Sequence, residues 1–447
     1  MENKVCIVGA GLVGSLLANY MAKRSIQVDM FERRPDMRRT DIPAGRSINL
    51  AMSDRGWRAL EVVGAEETIR ELAIPMHGRL MHDVEGNTHF MPYGKEGQYI
   101  NSVSRGELNM RLLSLAEKTG KVNTYFDERC TNVDLDNGTL TFTNENTGVE
   151  TTNTYDRIFG ADGAFSAIRN AMMRRDRFNY SQYYITSGYK ELTMPPVPEK
   201  KWAIDNGALH IWPRKDFMLI ALPNLDGSFT CTLFMPFDGE EGFDNLKTHD
   251  QVQAFFEKYF PDALQHMPTL LEDWDSNATS PLMTVSCNPW NHKGKFLLMG
   301  DAAHAVVPFY GQGMIAGFEG VRILNEMLDK YENWDVAFEE YSKYRQPDGD
   351  GIRQLALDNY REMRDLVADE HFIRKRQLSG KIHEIFGENW MPLYTMVTFS
   401  HVRYSEAYAK GQWQNKVLNE LVATGLSKDS SEAEIKAAVM PYLKVTN

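Results

Sequence analysis

Lys4-Val5-Cys6-Ile7-Val8, then Gly9-Ala10-Gly11-Leu12-Val13-Gly14, then Leu16, Leu17, Tyr20 and Met21 at helical spacing, decide the fold. An apolar β-type run, a turn built on glycine and an apolar helical stripe spell strand, tight turn, helix. Val28-Asp29-Met30-Phe31 supplies a second short strand with Glu32 at its end, which completes a βαβ unit and predicts a parallel sheet. Gly9, Gly11 and Gly14 answer three needs: a tight turn, close approach of a pyrophosphate, and close packing of helix on strand. The start of the helix then offers free N–H groups and a partial positive charge to phosphate. Glu32 falls about twenty residues beyond the turn, where a carboxylate accepts from ribose hydroxyls. A carboxylate at that position disfavours a 2′-phosphate, so FAD and NAD both remain for this first site.

A second motif decides between them. Gly300-Asp301-Ala302-Ala303-His304, then Pro308 and Gly311-Gln312-Gly313-Met314 opening a helix, offers a carboxylate for a polyol and another helix N-terminus for an anion. A flavin ring gains negative charge at N1/C2 on reduction, which a helix N-terminus stabilises, so the pair of motifs points to FAD. A third element, Gly160-Ala161-Asp162-Gly163-Ala164-Phe165-Ser166-Ala167-Ile168-Arg169, again joins strand to helix and suits a loop contacting both cofactors. His304 reads more readily as a packed loop residue than as a group acting on the flavin.

Outward from these motifs the texture changes. Tyr180 to Phe237 is alternating and aromatic, which predicts antiparallel strands, with Asn224-Leu225-Asp226-Gly227 as the turn of a hairpin between Phe217–Leu222 and Phe229–Phe234. The Gly-rich piece Met76 to Tyr99 is expected to add strands to that sheet. Beyond Asp350 the spacing is helical. The predicted fold is α/β: a Rossmann-like FAD-binding domain (1–75, 100–178, 286–348) interleaved with an antiparallel β-sheet substrate domain (76–99, 179–285), followed by a C-terminal helical region (349–447).

Composition narrows the function classes. The 447 residues carry 49 Lys plus Arg against 61 Asp plus Glu, and the resulting charge of −12 disfavours general affinity for nucleic acid or anionic membranes. Cys6, Cys130, Cys231 and Cys287 are far apart and read as reduced residues of a cytoplasmic protein. No export signal or membrane anchor is expected. No H-E-x-x-H or Cys/His cluster appears, so no metal is expected.

The three motifs together resemble the class A flavoprotein aromatic hydroxylases, with a fold like that of p-hydroxybenzoate hydroxylase. Through His210-Ile211-Trp212-Pro213-Arg214, Phe229 to Phe237 and Pro392-Leu393-Tyr394-Thr395-Met396-Val397-Thr398-Phe399-Ser400, the chain resembles the kynurenine 3-monooxygenase family in particular, in a soluble bacterial form. The resemblance implies that NADPH reduces FAD and that O2 adds at flavin C4a. The hydroperoxide then hydroxylates L-kynurenine to 3-hydroxy-L-kynurenine, in tryptophan catabolism. The cofactor then does the hard chemistry and no side chain is itself catalytic. With no second glycine fingerprint, NADPH would visit transiently.

The resemblance also implies site residues. The family's carboxylate-binding Arg and Tyr match Arg79 and Tyr93, its Asn in N-Y-x-E-M-R matches Asn359, and its Tyr in R-Y-x-E-A matches Tyr404. Phe309 and Tyr310 would flank the ring. Around the flavin it implies Leu12, Val13, Glu32, Arg33, Arg46, Arg105, Asp162, Asp301, Met314 and Ile315, beside the motif residues Gly9, Gly11, Gly14, Pro308, Gly311 and Gly313. Ile315 and Gly320 depart from the family's G-Q-G-M-N-A-G-F-E-D run, losing a side-chain amide and placing glycine inside a helix, at about 1 kcal/mol relative to Ala. Two competing readings are a hydroxylase of another aromatic acid and a flavin-binding protein with impaired turnover.

Overall fold

A computed structural model describes residues 4–39, 49–95, 97–362 and 369–443. The strand Lys4–Val8 pairs in parallel with Gln27–Phe31 on one side and Arg157–Gly160 on the other, and the helix Leu12–Lys23 makes the first crossover. The sheet continues to Val122–Tyr125 at one edge and Phe296–Leu298 at the other, all parallel, with only the two-residue strand Asn291–His292 antiparallel. The helix Leu12–Lys23 is buried all along Gly14 to Ala22, beyond the stripe its spacing suggests. It lies between the helices Arg105–Lys118 and Gly313–Lys330. Its polar members are satisfied internally: Ser15 Oγ donates to Ala10 O at 3.0 Å, and Asn19 Nδ2 donates to Ser15 O and Leu112 O at 2.8 and 2.9 Å. Buried polar groups require such partners.

The second layer is a seven-stranded sheet in the order Ser280–Asn288, Asn179–Met194, Phe229–Pro236, Phe217–Pro223, Ala208–Arg214, Gly78–His82, Thr88–Pro92. Phe217–Pro223 and Phe229–Pro236 form the expected hairpin, and the 76–99 segment does insert two strands. The sheet is mixed rather than purely antiparallel, because Gly78–His82 runs parallel to Ala208–Arg214. A parallel neighbour needs a long crossover, and the chain from 83 to 207 supplies it. One face of this sheet (Trp212, Leu219, Ala221, Cys231, Leu233) packs on the helix His249–Tyr259 and its neighbours. The other face (Leu209, Ile211, Ile220, Leu222, Thr232, Phe234) lines a cavity. With both faces covered, every residue from Phe229 to Met235 is buried, Thr230 and Thr232 included.

The helix Trp334–Arg361 runs continuously across residue 349, where the sequence reading sets a domain boundary. Pro347 and two glycines look like a break, yet these glycines serve packing. A Cβ on Gly349 would stand 2.8 Å from the Trp290 ring, and one on Gly351 2.9 Å from the Tyr404 backbone. The helices Glu370–Phe386, Leu393–Thr398, Tyr404–Ala423 and Glu432–Leu443 complete the C-terminal region. Among the described residues, no helix is long and apolar enough to cross a membrane.

Candidate functional site

A cavity of about 700 Å³ runs from the glycine turn to the inner face of the seven-stranded sheet. At its first end the three glycines differ in what they do. Gly9 has φ +103°, and a Cβ there would lie 2.4 Å from Ala161 O. A Cβ on Gly14 would lie 1.9 Å from Gly9 O, so this glycine seats the helix on the turn. A Cβ on Gly11 would meet nothing within 4 Å, because Gly11 faces the open cavity. The helix it opens has no side-chain cap and no acidic residue in its first turn, which leaves its N–H groups to an anion. Glu32 Oε2 accepts from Ala10 N at 3.0 Å, and Oε1 accepts from Arg34 N and Nε at 3.0 and 2.9 Å, so this carboxylate is held against the turn. Leu12, Val13 and Arg33 line the same end.

Midway along the cavity stand Arg105, Asp162 and Asp301. Asp162 Oδ2 accepts from Ala167 N at 2.7 Å, whereas its buried Oδ1 has no partner among the described residues. Burial raises the pKa of Asp162. Asp301 is open to the cavity but enclosed by protein elsewhere; that burial raises its pKa, with Arg105 opposing the rise. Pro308, Gly311, Gly313 and Met314 line the wall at the start of the helix Gly313–Lys330, whose N-cap Gln312 makes no side-chain cap bond. An uncapped helix start at each side, carboxylates for hydroxyls and an orphaned acidic oxygen fit a dinucleotide carrying a ring that becomes anionic.

Ile315 is fully buried, and a Cβ on Gly56 would come 3.7 Å from its Cγ1, so its side chain packs on the helix Asp54–Val62 rather than in the cavity. A Cβ on Gly320 would come 2.9 Å from the Tyr341 hydroxyl, so the missing side chain admits the neighbouring helix. His304 is buried, stacks on Trp290 at 5.1 Å, and is kept neutral by that burial, its pKa pushed down to about 3. Arg46 lies outside the described residues.

The far end is aromatic around Arg79, with the Arg376 guanidinium near enough to act on Arg79, Tyr394 and Tyr310. The Arg79 guanidinium lies 4.9 Å from the Tyr394 ring centroid and 5.6 Å from that of Tyr93. Tyr93 and Tyr394 stack at 5.7 Å, and Tyr394 and Tyr310 at 5.9 Å. Arg79 Nε and the Tyr93 hydroxyl are buried with no hydrogen-bond partner among the described residues. Unpaired buried donors cost about 1–3 kcal/mol each, which a bound anion would recover. Burial opposes the charge on Arg79, but Tyr394 and Tyr93 outweigh it and the group stays cationic. Burial also raises the pKa values of Tyr93 and Tyr310, which keeps both as neutral donors. Phe309 lines this end beside Phe234.

Asn359 and Tyr404 do not line the cavity; both support its wall from behind. Asn359 Nδ2 donates to Phe309 O at 2.7 Å. Tyr404 is fully buried, its hydroxyl 3.0 Å from Gln312 Oε1 and its ring under the Arg55 guanidinium at 4.5 Å. Its helix approaches Trp334–Arg361 through Gly351, and this contact turns Tyr404 into the core. Tyr394, not singled out by sequence reasoning, stands beside Arg79 instead. Its sequence signals are its place in the family-like segment Pro392–Ser400 and an aromatic residue just inside a proline-started helical turn, Leu393–Thr398.

The FAD binding domain family matches residues 2–333. The kynurenine 3-monooxygenase of Christiangramia forsetii is 46% identical over 446 residues, covering 99% of each chain. That of Flavobacterium johnsoniae is 47% identical over 420 residues, covering 94% of each. Among solved structures, the tetrameric form of 2-methyl-3-hydroxypyridine-5-carboxylic acid oxygenase superposes with a TM-score of 0.67 at 19% identity, covering 82% of this chain and 93% of its own, a likeness of fold.

Proposed function

Because the chain belongs to the kynurenine 3-monooxygenase family, we propose that its cavity carries out the 3-hydroxylation of L-kynurenine with NADPH and O2, in the cytoplasm. The observation that carries this reading is the buried Arg79 guanidinium, whose Nε has no hydrogen-bond partner among the described residues, with Tyr93 and Tyr394 at the far end of a cavity that begins at the Gly11 turn. When bound, FAD takes reducing equivalents from NADPH and, with O2, supplies the oxygen atom inserted into the ring C–H bond, the second oxygen leaving as water.

The chain's own residues bind, orient and exclude water. The helix starts at Gly11 and Gly313 would hold pyrophosphate and the pyrimidine edge of the flavin, and Glu32 and Asp301 its hydroxyls. Arg79 would take the α-carboxylate in a planar, charge-assisted pair, with tyrosine hydroxyls completing the shell. Leu209, Ile211, Ile220 and Phe234 give the aryl ring an apolar wall, and Phe309 and Tyr310 close it from the cofactor side.

The test uses the FAD-loaded protein. L-kynurenine should accelerate NADPH oxidation and yield 3-hydroxykynurenine, identified by chromatography. Arg79→Ala should weaken L-kynurenine about 10- to 100-fold, the equivalent of about 1.5–3 kcal/mol, while leaving decarboxylated kynurenine nearly unaffected. Hydroxylation of another aromatic acid with none of L-kynurenine would overturn the substrate assignment.

A further inference from the structure

On the side of the seven-stranded sheet away from the cavity, half-buried Asp262 and the buried His82 and His210 form a continuous hydrogen-bonded chain. His82 Nδ1 lies 2.9 Å from Asp262 Oδ2, His82 Nε2 lies 2.9 Å from His210 Nδ1, and His210 Nε2 lies 2.6 Å from the carbonyl oxygen of Asp205. Both ends of the chain are acceptors. The Asp205 carbonyl can only accept, and Asp262 Oδ2 already accepts from Trp212 Nε1 at 2.7 Å, as an ionised carboxylate does. Three hydrogen bonds through four ring nitrogens, ending on acceptors, need three N–H protons, whereas two neutral imidazoles own two. The chain is complete only when it holds one additional proton.

The His82 ring stacks on Trp212 at 4.1 Å and 21°, a placement that favours a cationic ring. Burial works against ionisation of Asp262, but hydrogen bonds from His82 and Trp212 outweigh it and hold its pKa below the usual carboxylate range. Burial pushes His210 down to about 4, leaving it the neutral partner. Arg214, on the same strand as His210, donates through Nη1 to His82 O at 2.9 Å and through Nη2 to Asp83 O at 3.0 Å. The other ionisable groups around the cluster are Asp83, Glu85, Asp205 and His266.

The location ties this chain to the substrate end. Gly78–His82 and Thr88–Pro92 form the sheet edge; Arg79 lies on the first of these strands and Tyr93 just past the second. That edge hairpin joins the rest of the sheet through one short parallel ladder, Gly78–Met81 against Ala208–Ile211, through the bonds of His77 N to Gly207 O and of Arg214 to His82 O and Asp83 O, and through the His82 side chain. Arg79 faces the cavity and His82, three residues on, faces the chain.

We propose that Asp262, His82 and His210 are positioning residues: a proton-dependent clamp that holds the edge hairpin so that Arg79 and Tyr93 meet the substrate carboxylate. This rests on the substrate reading given above. Because the three hydrogen bonds need the third N–H proton, the clamp is complete while the chain holds that proton and is lost as rising pH removes it. L-kynurenine affinity therefore falls over that interval and FAD affinity does not.

The experiment has two arms on the full-length, FAD-loaded protein. Side-chain nitrogen NMR of 15N-histidine-labelled protein across a pH series, with His82 and His210 assigned through contacts to Trp212, should show three protonated ring nitrogens across the pair on the acidic side, falling to two over the interval in which L-kynurenine affinity falls. Two at every pH at which the protein stays folded would overturn the proposal without any variant. In the second arm, the L-kynurenine dissociation constant is read from flavin absorbance against pH, for wild type and Asp262→Asn. Removing the carboxylate charge disfavours the protonated chain, so the variant should lose affinity at a lower pH than wild type and recover it on acidification. The substrate's own amine titrates identically with both proteins and cancels in the comparison. Superimposable profiles overturn the clamp while leaving L-kynurenine as substrate; no L-kynurenine binding at any pH overturns the substrate reading and the clamp's role with it.

Discussion

Phenylalanine substitutions at Tyr394 and Tyr404 separate two tyrosines that lie ten residues apart and do different work. Tyr394 stands in the cavity with its ring 4.9 Å from the Arg79 guanidinium, and Tyr394→Phe keeps that ring while deleting the hydroxyl. A hydroxyl donating to a carboxylate in a shielded site contributes about 1.5–3 kcal/mol, so the L-kynurenine dissociation constant should rise about 10- to 100-fold. Tyr404 is fully buried and, among the described residues, its hydroxyl bonds to the neutral Gln312 amide oxygen, at 3.0 Å. Tyr404→Phe leaves that acceptor unpaired, a cost of about 1–3 kcal/mol in stability, with no direct effect on substrate. The assay is a titration of the FAD-loaded proteins with L-kynurenine, followed by flavin absorbance, together with thermal unfolding of each variant. Tyr394→Phe should move the titration and not the melting point, and Tyr404→Phe the reverse. A tenfold weaker titration for Tyr404→Phe with none for Tyr394→Phe would refute the argument, because the residue beside Arg79 would then not be the one the substrate meets.

Gly11→Leu should abolish FAD uptake while leaving the apoprotein's melting temperature near wild type, since its side chain would enter open cavity; Gly14→Ala, facing a carbonyl 1.9 Å away, should instead prevent stable folding. Normal flavin content in Gly11→Leu would show that the phosphate does not approach this turn. Gly320→Ala should not give the gain of about 1 kcal/mol expected for an exposed helix interior, because the new Cβ would stand 2.9 Å from the Tyr341 hydroxyl. Thermal unfolding reads the outcome, and a full gain would mean that Tyr341 yields without cost.

Much of the cofactor half was legible in the chain because its requirements are local. The period of apolar residues in Lys4–Val8 and Leu16–Met21, the left-handed φ at Gly9 and the carboxylate closing the next strand are properties of short segments, and they needed no tertiary knowledge to read. The hairpin at 217–236 was legible for the same reason. The substrate half was less so. Residue types and family resemblance pointed to Arg79 and Tyr93, but whether a tyrosine on a C-terminal helix turns to the cavity or to the core depends on which face its neighbours cover. Gly351 lets the helix carrying Tyr404 come within contact and sends that side chain inward, while Tyr394 is left facing Arg79.

By itself, then, the sequence determined a dinucleotide turn, its parallel sheet and the chemistry suited to a flavin, since backbone geometry and hydrophobic period are written residue by residue. Only the tertiary structure decided that residues 79, 93 and 394 share one site, that one strand pair of the substrate sheet is parallel, and that His82, His210 and Asp262 form a chain. Contacts between segments over a hundred residues apart depend on packing and long-range pairing, for which no local pattern exists.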